Sequence, residues 1–148
     1  MQEYLSTSQD DTLNFANKFA STLKPSDIII LSGELGSGKT KFTEGILTYF
    51  GLENEISSPT FTIVNEYHAK QMNIYHFDLY RLADIDEFYA MGGEEYLSKG
   101  LCIIEWGELI EPILPDHYTK IIFHKSSENM EERKLEIIQG GKNENISN

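Results

Sequence analysis

The stretch SGELGSGKTKF, Ser32 to Phe42, decides the fold. Its core, Gly33-Glu34-Leu35-Gly36-Ser37-Gly38-Lys39-Thr40, matches the phosphate-loop pattern G-x-x-x-x-G-K-[ST] at every specified position. The glycines let the backbone wrap closely, so that successive N–H groups and the start of the following helix point at a β-phosphate. Lys39 adds a mobile positive charge for the β and γ oxygens, and the Thr40 hydroxyl offers one oxygen ligand to Mg²⁺. The flanks suit this reading. DIIILS (27–32) is a short apolar run of the kind buried on both faces of a parallel sheet, and TKFTEGILTYF predicts a helix from Thr40 to Phe50, stopped by Gly51.

Upstream of the loop, Ser8 and Asp11 have capping-box spacing, and Leu13, Ala16, Ala20 and Leu23 fall on one helical stripe. Downstream, ENEISSPT is a polar connection, Phe61 to Tyr67 predicts a strand, and HAKQ a turn. NIYHFDLY (73–80) predicts the next strand, DIDEFYAMGGEEYLSKG a short helix, a double-glycine break and a further helical turn, and LCIIEW (101–106) a second buried strand. YTKIIFHK and RKLEIIQG, separated by the charged SSENMEE, predict an antiparallel pair at the edge of the sheet. The expected class is therefore α/β: a three-layer P-loop NTPase-like fold whose mixed sheet is parallel at the centre and antiparallel at one edge. It should form a single P-loop domain over residues 1–140, followed by a disordered tail over 141–148.

A chain of 148 residues, 40% hydrophobic, suits one globular domain with a real core. Its 24 acidic against 12 basic residues give a net charge of −12, which sets most of the surface against DNA or an anionic membrane. Such acidity serves solubility or docking to a basic protein partner. The lone Cys102 lies in the apolar GLCII, reads as a small buried hydrophobe, and suits a reducing compartment. MQEYLSTSQDD has no basic or apolar signal region, and no apolar run reaches the ~18 residues of a membrane span. The expected location is cytoplasmic.

A nucleotide site of this class needs an acidic residue at a neighbouring strand end to anchor the magnesium shell. Two residues qualify: Asp78, closing NIYHFD, and Glu105, closing LCIIE; the residues alone leave both open. Glu105 could orient an attacking water or bind Mg²⁺. His76 shares a strand face with Asp78, which makes a His-x-Asp metal pair conceivable beside the plainer reading of a packed histidine. Thr60 of SSPTF stands where many P-loop switches place a threonine that senses the γ-phosphate. Trp106, the only tryptophan, serves either as a partner-facing anchor or as core packing.

Taken together and in order, GELGSGKT, SSPTFTIVNEY, YHFDLYRL and IIEWGE resemble the TsaE family, also called YjeE, small bacterial ATPases of tRNA threonylcarbamoyladenosine synthesis. The resemblance runs from about Ser6 to about Gln139. It implies a magnesium-dependent ATPase, weak alone and stimulated by partners. In that family picture ATP hydrolysis supports turnover of the TsaB–TsaD pair, which attaches threonylcarbamoyl to adenosine 37 of tRNAs that read codons beginning with A. The implied cofactors are ATP and Mg²⁺, and the implied partners are TsaD and TsaB, with tRNA reached only through the complex.

Carried over residue by residue, the resemblance makes Lys39, Glu105 and Thr60 the catalytic set. Nucleotide contacts fall to Gly33, Glu34, Leu35, Gly36, Ser37, Gly38, Lys39 and Thr40, joined by Arg133 as a late arginine near the nucleotide. Thr40, Asp78 and Glu105 would face the metal, with Asp78 as the Walker B acid, and Trp106 would belong to the same strip. Gly107 stands where family members often have proline after the tryptophan.

Rival classes are a small-molecule kinase, a GTPase and a nucleotide-gated binding module. With only Arg81 and Arg133 in the chain, the arginines that clamp two phosphate-bearing ligands in such kinases are too few. No Asn-Lys-x-Asp segment reads guanine, and no Asp-x-x-Gly follows the YHFD strand. The binding module differs from the ATPase in turnover rate more than in structure.

Overall fold

Seven strands form one sheet in the computed structural model, which describes residues 2–34, 36–56 and 63–140. In chain order the elements are β1 (Gln2–Ser6), α1 (Gln9–Ala20), β2 (Ile28–Gly33), α2 (Lys39–Tyr49), β3 (Val64–His68), β4 (Asn73–Asp78), α3 (Ile85–Ala90), α4 (Gly93–Tyr96), β5 (Leu101–Glu105), a 3₁₀ segment (Gly107–Ile113), β6 (Tyr118–Lys125) and β7 (Arg133–Gly140). The strand order is β1-β7-β6-β2-β5-β4-β3. The run β6, β2, β5, β4 is parallel throughout, which places the strand before the glycine loop in the middle of the sheet. The expected antiparallel hairpin of β6 and β7 is present at one edge. Antiparallel pairing also occurs at the other edge, where β3 meets β4. The expected tail at 141–148 lies outside the described residues, as does the start of the strand expected from Phe61.

Period-two alternation sorts the sheet into two cores. Ile29, Leu31, Ile74, Leu101, Ile103, Ile121, Phe123, Leu135 and Ile137 face α1 and α2, where Ala16, Ala20, Phe42, Ile46 and Leu47 close the layer. Ile28, Tyr75, Phe77, Cys102 and Ile104 face the opposite side, covered by Phe88 of α3 and Ile110 of the 3₁₀ segment. This is the three-layer arrangement. The Cys102 thiol is fully buried, and desolvation pushes its pKa up to about 12.

The first helix starts where the sequence places it. The Ser8 side chain accepts from the Asp11 N–H at 3.0 Å, and Asp11 accepts from the Thr7 N–H at 2.9 Å. The buried stripe is Thr12, Ala16 and Ala20, with Leu13 half-buried at its margin. The strand ahead of it, β1, has no counterpart in the sequence reading. Its burial pattern is mostly exposed, and it exists because β7 offers it an edge in antiparallel register, Tyr4 opposite Leu135. The Tyr4 phenol donates to Asp11 and, together with the Thr7 amide, holds that carboxyl below the usual range. The edge strand is thereby fastened to the first turn of α1.

Helices α1 and α2 approach closely at Gly45. A Cβ there would lie 2.4 Å from the Leu13 carbonyl oxygen and 2.6 Å from the Ala16 Cβ. Replacing glycine by alanine inside a helix is ordinarily favourable by about 0.5–1 kcal/mol. Here the sign should reverse: Gly45→Ala is expected to destabilise the fold by about 1–3 kcal/mol through overpacking, read as a lower urea midpoint with unchanged slope.

Candidate functional site

The glycine loop leaves the carboxyl end of β2 and turns directly into α2, as the motif requires. Gly33, Gly36 and Gly38 have φ of 147°, 78° and 112°, a region that side chains other than glycine rarely adopt. Gly33 is crowded as well, since a Cβ would stand 2.8 Å from the Phe123 carbonyl oxygen.

Helix α2 differs from its neighbours at its amino end. Ser8 caps α1 and Asp84 caps α3 through side-chain hydrogen bonds, and each helix carries two acidic residues in its first turn. Gly38 gives α2 no side-chain cap, and its first turn has no acidic residue. Its leading amides therefore keep free donor capacity, and its dipole is uncompensated at the mouth of the loop.

Lys39 stands at this terminus and is only 5% exposed. Its Nζ donates to the Gly33 carbonyl at 2.8 Å and lies 4.7 Å from the centre of the Trp106 ring. It forms no ion pair with any described residue. Lysines are rarely this buried without an anionic partner.

A cleft of about 250 Å³ opens over the loop, lined by Gly36, Gly38, Lys39, Thr40, Glu105 and Arg133 among others. Ser8, Gln9 and Thr12 of α1 and Met130 and Glu131 of the β6–β7 hairpin complete its walls. None of these was read from sequence as a site residue, Ser8 being read only as a helix cap, because their local pattern is ordinary helix capping and a charged turn. Only the packing of α1 on α2 and the length of the hairpin bring them to the loop.

The two acidic candidates are neighbours across parallel strands, Asp78 opposite Glu105 in register. They part in role. Glu105 lines the cleft, whereas Asp78 is not among its lining residues and accepts the Tyr80 N–H at 3.0 Å, closing the turn after β4. The His-x-Asp pair does not form. His76 is buried and its Nε2 lies 2.7 Å from Glu105 Oε2 instead. Among the described residues no group of three or more His, Cys, Asp or Glu gathers as a metal site. Thr40 and Glu105, which both line the cleft, are oxygen donors of the kind that suits Mg²⁺, an ion that needs few protein ligands and takes the rest from phosphate and water.

Arg133 grips the loop from the start of β7. Its Nε donates to the Ser37 carbonyl at 3.1 Å and a terminal nitrogen to the Gly36 carbonyl at 3.3 Å, while the other terminal nitrogen holds Met130 and Glu132. In this arrangement it is a strut between hairpin and loop. Glu34 is at the loop's exposed edge, 3.9 Å from Lys125 Nζ. Trp106 belongs to neither core: it is 36% exposed, has φ of 59°, and packs at a tilt against Tyr80, itself 68% exposed, with ring centres 5.0 Å apart. Gly107 follows because a Cβ there would meet Ile30 at 3.0 Å. Leu35 and Thr60 lie outside the described residues. Among the described residues no helix is long and apolar enough to cross a membrane.

The family model described as "Threonylcarbamoyl adenosine biosynthesis protein TsaE" matches residues 6–135. A TsaE protein of Rickettsia bellii is 50% identical over 73% of this chain and 76% of its own length. One from Haemophilus influenzae is 40% identical over 80% of each chain, and one from Bacillus subtilis 37% identical over 83% and 77%. A crystal structure of Bacillus subtilis YdiB superposes with a TM-score of 0.73 at 29% identity, covering 99% of this chain and 89% of that one.

The strut role of Arg133 has a direct readout. Arg133→Ala should speed amide hydrogen exchange across residues 36–40 while leaving the central strands protected, because the lost hydrogen bonds lie in the loop and the hairpin. Equal exchange in both proteins would show that the loop stands without it.

Proposed function

Since the chain belongs to the TsaE family of threonylcarbamoyl adenosine biosynthesis proteins, we propose that it is a P-loop ATPase whose cycle supports a tRNA-modifying complex. The observation that carries this reading is Lys39, a nearly buried cation without an anionic partner among the described residues, set beside the uncapped amino end of α2. Both features leave positive charge uncompensated at one point in a cleft, and a polyphosphate supplies the missing charge.

In this reading the amides of the glycine loop and α2 hold the phosphates, and Lys39 releases the Gly33 carbonyl to reach their oxygens. Thr40 and Glu105 would hold Mg²⁺, with Asp78 behind them as the acid at the end of the next strand. Held there, Mg²⁺ would supply positive charge against the phosphate oxygens. Glu105 also orients the attacking water, Thr60 completes the set as the switch threonine, and Arg133 keeps the loop closed on the nucleotide. ATP is preferred over GTP because the chain has no guanine-reading Asn-Lys-x-Asp segment.

The partners in this proposal are TsaD and TsaB, in the cytoplasm, with tRNA met only through them. A surface of net charge −12 supports that indirectness, since it disfavours unaided binding to nucleic acid. The exposed Trp106–Tyr80 pair beside Lys39 is the part of the site best placed to feel a docked protein.

Phosphate release from MgATP, measured for the chain alone and then with TsaB and TsaD, tests the whole reading. A slow basal rate that rises with the pair is expected; brisk partner-free turnover or phosphorylation of an added metabolite would replace it with a kinase. Lys39→Ala should weaken MgATP binding about 10- to 100-fold by calorimetry and abolish turnover. Glu105→Ala should keep nucleotide binding within a few-fold but cut hydrolysis by about 100-fold or more. A normal rate in that variant removes Glu105 from the chemistry.

A further inference from the structure

We infer that His76 is a positioning residue for Glu105, holding the carboxylate in the one orientation from which it serves the cleft. The inference rests on the functional reading above, and adds a residue that neither touches the cleft nor belongs to the phosphate loop.

The geometry starts with alternation along the central strands. On β4 the residues Ile74, His76 and Asp78 fall on the face covered by α1 and α2, and on β5 Leu101, Ile103 and Glu105 do the same, each paired in register with its counterpart. Glu105 is the last residue of β5, followed by Trp106 in a left-handed conformation. A glutamate at a strand end has three side-chain torsions and no strand neighbour beyond it to fix them. His76 supplies that restraint from one step down the adjacent strand. The imidazole Nε2 and the Glu105 Oε2 are 2.7 Å apart, with side-chain exposures of 7% and 14%.

Direction follows from chemistry. An ionised carboxylate only accepts, so the Nε2 must carry the proton and donate. A charge-assisted bond of this length, largely shielded from water, is among the stronger single contacts a side chain can make. It occupies Oε2 and leaves Oε1 for the cleft. No other described side chain donates to Glu105. Asp78, the register partner of Glu105, is not among the residues that line the cleft, and its Oδ1 accepts the Tyr80 N–H.

His76 is not itself a ligand in this arrangement. It is absent from the cleft lining, and the described residues gather no three-ligand cluster around it. Its Nδ1 is buried with no partner among the described residues. A ring kept in place with one nitrogen unsatisfied is held for the sake of the other, since burial of that orphan atom is unfavourable by itself. Outer partners of this kind typically change metal affinity or activity by about 10- to 100-fold when removed.

The test uses the full chain with ADP and Mn²⁺, the free ion being counted by electron paramagnetic resonance. His76→Phe keeps the ring volume and removes the donor; His76→Gln places an amide N–H near the position of Nε2. Expected are a Mn²⁺ dissociation constant raised about tenfold or more in His76→Phe, metal-free ADP affinity within about twofold of wild type, and recovery to within about threefold in His76→Gln. Should His76→Phe not fold, as judged by its urea transition, His76→Asn takes its place, because the shorter amide does not reach Glu105. Mn²⁺ affinity unchanged in the donor-less variant, or equal losses in the Phe and Gln variants, overturns the positioning role while the ATPase reading stands. Failure of the wild-type chain to bind ADP and Mn²⁺ together overturns both.

Discussion

At position 33 the space a side chain would occupy is already taken by the Phe123 carbonyl oxygen, 2.8 Å from where a Cβ would stand. This contact joins the end of β2 to β6, where the chain leaves the sheet at a φ of 147° that only glycine readily adopts. The direction of the loop, the start of α2 and the mouth of the cleft all follow from that exit. Phe123 then works a second time, its ring packing edge-on against Phe42 of α2 at 5.6 Å, so the strand that shapes the turn also seats the helix. The loop is held from below by packing and from the side by Arg133, which donates to the Ser37 and Gly36 carbonyls.

Around that fixed point the structure concentrates one kind of imbalance. The chain is strongly acidic, yet at the loop it buries a lysine without an anionic partner among the described residues and starts a helix without a cap or an acidic first turn. By contrast, α1 and α3 are capped by a serine and an aspartate and carry acids in their first turns. The exception sits where a ligand would complete the charge balance.

The acidic side of the cleft shows how parallel strands prepare such a site. Neighbouring strands about 4.8 Å apart bring residues distant in sequence into register, so Asp78 and Glu105 end side by side. Register alone does not make them equivalent. One carboxylate is drawn back by the Tyr80 amide and the other is held toward the loop by His76. Two similar residues thus acquire different environments from contacts that no spacing rule encodes.

The sequence by itself determined the central strand, the glycine loop and helix α2, because motif, apolar run and helical pattern are all local and agree with one another. It also carried the acidic candidates, since both close apolar strands, and the edge hairpin, whose two strands are separated by a short charged turn. Other features were settled only by tertiary structure. Strand β1 is polar and mostly exposed, and has no signal until β7 presents an edge to it. Ser8, Gln9 and Thr12 reach the cleft only because Gly45 lets α1 lie directly against α2. The pairing of His76 with Glu105 rather than Asp78 reflects side-chain reach between strands, 29 residues apart in the chain. Local pattern decides which elements form; which side chains meet is decided by contacts between elements, and these exist only once the sheet has closed.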